Sequence, residues 1–176
     1  MKTITKENWR YADPVCEQML SLSMEQGSAY PMYPELWLDL ILKPQLSEDV
    51  PLNLHSIFET ARGCMVYGYF YYPLFSIGVE QLYKLIDASI SAKYDASAEP
   101  SNLGSRRFVN LAEKIDWLHG HGLITSEQQG IFHNARLLRN ELFHPKAQGI
   151  MPPSTASSSL GLASMWINEL FAKGWR

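Results

Sequence analysis

The sequence predicts an all-α protein: a helical bundle of four to five main helices with an N-terminal extension. Three observations carry that prediction. From Leu54 onward apolar residues recur at helical spacing. No period-2 alternation of useful length appears anywhere in the chain. The periodic stretches are separated by Pro and Gly at places where helices start and stop.

Residues 1–50 read as the extension, packed on the side of the bundle formed by 51–176. Asp13-Pro14 suits a helix start, Asp as N-cap and Pro in the first turn, running through Cys16, Met19 and Leu22 to a stop at Gln26-Gly27-Ser28. Tyr30 to Pro34 reads as a linker, and Glu35 to Leu42 as a short apolar segment between prolines. The first main helix follows from Leu54, with Ile57, Ala61, Cys64, Met65 and Gly68 on one face. Pro73 breaks it and opens a second, to about Lys93, burying Leu74, Ile77, Gly78, Leu82, Leu85 and Ile86. Asp95 to Gly104 is a loop. A third helix carries Phe108, Leu111, Ile115 and Leu118 and stops at Gly120 and Gly122. Thr125-Ser-Glu-Gln128 has the pattern of a capping box and opens the fourth. Pro145 to about Ser158 is read as a polar loop, and 159–173 as a last helix with Leu162, Trp166, Leu170 and Phe171.

The chain's 176 residues suit one domain, which at this size buries roughly 70% of its unfolded surface. No apolar run approaches the roughly 18 residues of a membrane span, and no signal-type stretch follows the N-terminus, so a soluble cytoplasmic protein is expected. Cys16 and Cys64 are isolated and expected to be reduced. A net charge of −3 argues against broad binding of nucleic acid through a basic surface. The charge is uneven: residues 1–50 carry four Lys or Arg against eight Asp or Glu, residues 101–150 six against four. Any anion site therefore belongs to the C-terminal half, where His119, His121, His133 and His144 also fall.

The fourth helix carries the chemistry. At about 100° per residue, Ile131, Ala135, Leu138 and Leu142 form a stripe expected to face the core. Arg136, Asn140, His133 and His144 fall on the opposite side, and Arg139 stands at the border. A guanidinium offers forked donors to phosphate oxygens, and an imidazole exchanges a proton near neutrality. Asn140 and His144, an i, i+4 pair, can hydrogen-bond. Such a group suits attack by a ribose 2′-hydroxyl on its own phosphate, which requires no metal. His119-Gly-His121 is the one close histidine pair and reads as a turn, so neither metal nor cofactor is expected. On an arbitrary helix, the same polar residues near a C-terminus serve the helix dipole and solubility.

Arg139-Asn140 followed by His144 resembles the signature of HEPN domains, small helical bundles found in many prokaryotic RNA-cleaving toxins and defence proteins. The resemblance covers roughly residues 55–145. The stretch from Gly68 through Pro73 and Glu80 to Lys84 is similar to that family's first helix hairpin, and Leu118 to Glu127 to the turn preceding its motif helix. The resemblance implies a homodimer whose two motif helices line one cleft. It makes Arg139, His144 and Asn140 the catalytic residues, with Arg136 and Glu80 supporting. It implies RNA or a nucleotide as ligand and allows an antitoxin-type protein partner. Some toxin relatives carry a modifiable Tyr two residues after the His; this chain has Lys146 there. Two classes of function follow: a metal-independent endoribonuclease, or a non-catalytic dimeric module that binds a nucleotide or a protein.

Overall fold

The computed structural model describes residues 2–23, 27–98, 109–143 and 151–172. Its elements, in order, are α1 (Pro14–Glu17), β1 (Leu20–Ser23), β2 (Ser28–Pro31), α2 (Pro34–Leu42), α3 (Leu52–Gly68), α4 (Leu74–Ser97), α5 (Leu111–Gly120), α6 (Ser126–Phe143) and α7 (Pro153–Phe171). Among the described residues the chain is mostly helical, as expected, with one small antiparallel hairpin in which Leu20 pairs with Pro31 and Ser23 with Ser28.

That hairpin corrects the reading of the extension. The Asp13 cap and Pro14 do start a helix, Asp13 accepting from Val15 N at 3.1 Å, but it ends at Glu17. Leu-Ser-Leu-Ser at 20–23 alternates for only four residues, too few to register as a strand in sequence. The segment is tied to the bundle by buried polar contacts. Asp13 N donates to Tyr69 O at 2.9 Å, and the Asp13 carboxylate accepts from Tyr72 N at 3.3 Å. Cys16 lies fully buried, and burial pushes its thiol up to about 12, so it stays protonated and unreactive. Farther on, the buried Arg62 of α3 donates to Pro44 O and stacks over Phe58. Asn168 of α7 holds the same connection, accepting from Ser47 N at 2.8 Å and donating to Gln45 O at 2.9 Å.

α3 and α4 form the central hairpin. The buried stripe of α3 is Leu54, Phe58, Ala61, Met65 and Gly68, so the expected Ile57 and Cys64 are its half-buried flanks. On α4 the buried residues are Phe75, Gly78, Val79, Leu82, Leu85, Ile86, Ser89 and Ile90; Leu74 is half-buried and Ile77 exposed. Gly78 lets the two helices close up: a Cβ there would stand 3.2 Å from the Ala61 carbonyl oxygen and 3.0 Å from Met65 Cγ.

α5 starts on a capping box that the sequence reading did not pick out, Asn110 with Glu113. It ends at a turn where Gly122, at φ 70°, takes a backbone conformation that side chains disfavour. The capping box expected at the start of α6 is present: Thr125 N donates to Gln128 Oε1 at 2.9 Å and Gln128 N to Thr125 Oγ1 at 3.1 Å. The last helix begins six residues earlier than expected, at Pro153. Its serine-rich first turns read as loop by composition, yet Ala156 and Leu160 are fully buried and carry them into the core. Of its expected apolar residues, Leu170 is buried, Trp166 and Phe171 are half-buried and Leu162 is 44% exposed. The expected contributions of Phe108 and His144, and most of the loops around them, lie outside the described residues.

Candidate phosphate-binding face of helix α6

The direction of α6 follows from its ends. Lys93 lies over the Phe171 ring, which brings the far ends of α4 and α7 together. Gln128 at the start of α6 reaches Glu169 near the end of α7 at 3.4 Å. α6 therefore starts beside the far end of α4 and runs back antiparallel to it, bringing Arg139 level with Asp87.

The face that α6 turns inward is only partly the expected one, since Ala135 is buried but Leu138 is not. Gln128, Phe132 and Ala135 are buried, Ile131 is half-buried, and Leu138 is 49% exposed; the Leu142 side chain lies outside those described. The cause is the helix's choice of neighbours. α6 leans on α4 and α5 and hardly touches α7. Between α6 and α7 an apolar groove of about 290 Å³ stays open, walled by Leu82, Tyr83, Ile131, Leu138, Leu162 and Trp166 among others. Leu138 lines that groove, and Ile131 lies between the groove and the core.

Rotating the stripe moves Arg139. It continues the Phe132–Ala135 side and meets α4, where its Nη1 stands 3.1 Å from Asp87 Oδ2. Asp87 is the more shielded partner, its side chain 21% exposed against 38% for Arg139. Burial raises the Asp87 carboxyl above the ordinary aspartate range, and the Arg139 and Arg136 guanidinium groups pull it part of the way back. Arg136 is half-buried, and its Nε is buried without a hydrogen-bond partner among the described residues. Asn140, adjacent to Arg139 in sequence but about 100° around the helix, is exposed. The motif is thus divided: Arg139 clamps α6 to α4, Asn140 is exposed, and Arg136 stands half-buried between the two. His144 lies outside the described residues.

Glu80, expected beside the site, is half-buried on α4 about two turns before Asp87 and on the same side of that helix. Asp87 was missed by sequence reasoning. Its signal was available: Glu80 and Asp87 are the only acids between Leu74 and Tyr94, and seven residues put both on one face.

The pair has a pH consequence. A raised folded-state pKa means that the carboxyl's contribution to stability is complete below the unfolded pKa and is lost as pH rises through the folded one. Asp87→Asn should therefore gain stability relative to the natural chain as pH climbs above the ordinary aspartate value. Urea midpoints of the two proteins measured across acid to neutral pH would show it, and a constant difference would refute it.

Across the helix, His133 Nε2 lies 2.9 Å from Asp116 Oδ1 on α5, and Gln129 Nε2 donates to the same oxygen at 2.8 Å. These bonds, His133's first, hold the Asp116 carboxyl below its usual range. His119 and His121 are engaged locally: His119 Nε2 is 3.0 Å from Ser126 Oγ, and His121 stacks on Trp117 with ring centroids 3.8 Å apart. Among the described residues no group of three His, Cys, Asp or Glu side chains could hold a metal ion, and no helix is long and apolar enough to cross a membrane. Comparison with protein-family models, curated proteins and solved structures found no match to this chain.

Proposed function

We propose that this chain is a metal-independent endoribonuclease of the HEPN type, cleaving RNA by 2′-hydroxyl attack in a cleft shared by two copies. The observation that supports this reading is the arginine pair on α6. Both guanidinium groups act on the Asp87 carboxyl, and these three side chains, two cations and one acid, stand beside the exposed Asn140. A phosphate is the ligand such a cluster favours. In this reading Arg136 and Arg139 bind the phosphate and stabilise charge developing on it, His144 moves the proton, and Asn140 orients the imidazole. Glu80 and Asp87 hold the positive charge in place. A second copy completes the cleft, an antitoxin-type protein is a fitting regulator, and the cytoplasm is the fitting compartment.

The Arg139–Asp87 ion pair also favours a second reading, a dimeric module that holds a nucleotide or a protein partner without turnover. A guanidinium already engaged has less charge to lend to a transition state than to a resting anion. One assay separates the two. RNA incubated with the protein in EDTA should be cut to cyclic phosphate ends, and His144→Ala should lower the rate by roughly 10²–10⁴ without disturbing the dimer seen by light scattering. Cleavage abolished by EDTA would overturn the metal-independent mechanism. A nucleotide bound with no RNA cut would install the binding module in its place.

A further inference from the structure

The outward face of α6 carries one more organised group. His133 and Asn140 lie two turns apart on one side of the helix, with Arg136 between them, all within an arc of about 60°. A carboxylate only accepts hydrogen bonds, so the 2.9 Å contact with Asp116 makes His133 Nε2 the protonated nitrogen. In the neutral ring Nδ1 then keeps its lone pair. The side chain is 28% exposed, so the ring is fixed from behind by an acid on the neighbouring helix and still reaches solvent. An imidazole oriented by a carboxylate, with a free basic nitrogen and a guanidinium one turn away, has the elements of proton transfer at a phosphate ester.

We propose that His133, oriented by Asp116, is a catalytic base of this site, with Arg136 as its phosphate ligand. The proposal rests on the ribonuclease reading. Nδ1 takes the proton of a ribose 2′-hydroxyl while that oxygen bonds to phosphorus. The bond from phosphorus to the 5′-oxygen breaks, the leaving oxygen takes a proton from the acid of the ribonuclease reading, His144, and each imidazole then exchanges its proton with solvent. The products are a cyclic phosphate and a free 5′-hydroxyl.

The alternative is a plain staple: Asp116 bonded to His133 and Gln129 joins α5 to α6 whether or not any chemistry occurs. His133→Gln discriminates, because glutamine keeps a donor for Asp116 and cannot exchange a proton near neutrality. Asp116 of α5 is the charged group in contact with the ring, His119 acts on that same carboxyl, and Arg136 follows three residues on along α6. In His133→Gln, kcat should fall by about 10²–10⁴ with KM and the thermal midpoint nearly unchanged. Imidazole added to His133→Ala should restore part of the rate, which no staple predicts. Full activity in His133→Gln, or a loss matched by a lowered thermal midpoint and unrelieved by imidazole, would overturn the proposal. Activity lost in His144→Ala and retained in His133→Gln removes this inference and keeps the ribonuclease reading. A natural chain that cuts no RNA removes both.

Discussion

On the ribonuclease reading, Arg136→Ala should slow RNA cleavage by about 10²–10³ while changing stability by no more than about 1 kcal/mol. Its partner in the motif should behave differently. Arg139 is committed to Asp87 at 3.1 Å, and removing it strands a carboxyl that is largely shielded from water. Arg139→Ala is therefore expected to lose rate and stability together. Part of that stability should return in the Arg139→Ala/Asp87→Asn double variant, which no longer holds the stranded charge. Arg136 has no such structural debt: its pull on Asp87 is the weakest of the three influences acting there. Rates and urea midpoints measured on all four proteins would decide the assignment. An Arg136→Ala enzyme with full activity would show that the phosphate does not bind there. An Arg139→Ala protein as stable as the natural chain would show that the ion pair contributes nothing.

The division between Arg136 and Arg139 explains what the sequence could and could not say about this site. Local signals were legible. The Thr125–Gln128 capping box, the Asp13 cap, the Pro73 break and the Gly122 turn each depend on residues within four positions of one another. The facing of α6 was not, because the helix has apolar residues on two sides: Phe132 and Ala135, which are buried, and Leu137 and Leu138, 52% and 49% exposed. Periodicity alone cannot say which side meets the core. Here α6 packs against α4 and α5 and leaves its α7 side open. That packing carried Arg139 inward and made Asp87 its partner. The start of α7 was hidden for the opposite reason. Its composition is that of a loop, and only the burial of Ala156 and Leu160 accounts for the helix.

Trp37→Ala should cause the largest loss of stability of any substitution considered, about 3–5 kcal/mol. The ring is 2% exposed and meets Phe75 edge-on, centroids 5.4 Å apart, so α2 is fastened directly to the start of α4. Its indole N–H donates to Met65 O at 2.9 Å. That carbonyl belongs to the last turn of α3, where no intrahelical partner is guaranteed, so the bond fills a vacancy in the helix end. Truncation would empty an aromatic site and leave a buried acceptor unsatisfied. Trp37→Phe separates the two effects: it retains most of the packing and should cost only the hydrogen bond, about 1–3 kcal/mol. Helical circular dichroism followed through urea should show one transition in each protein, displaced further for alanine than for phenylalanine. Two transitions in the natural chain, the first confined to residues 1–50, would mean that the N-terminal segment folds apart from the bundle. In that case Trp37→Ala would move the first transition and leave the second, and any RNA cleavage by the bundle would survive it.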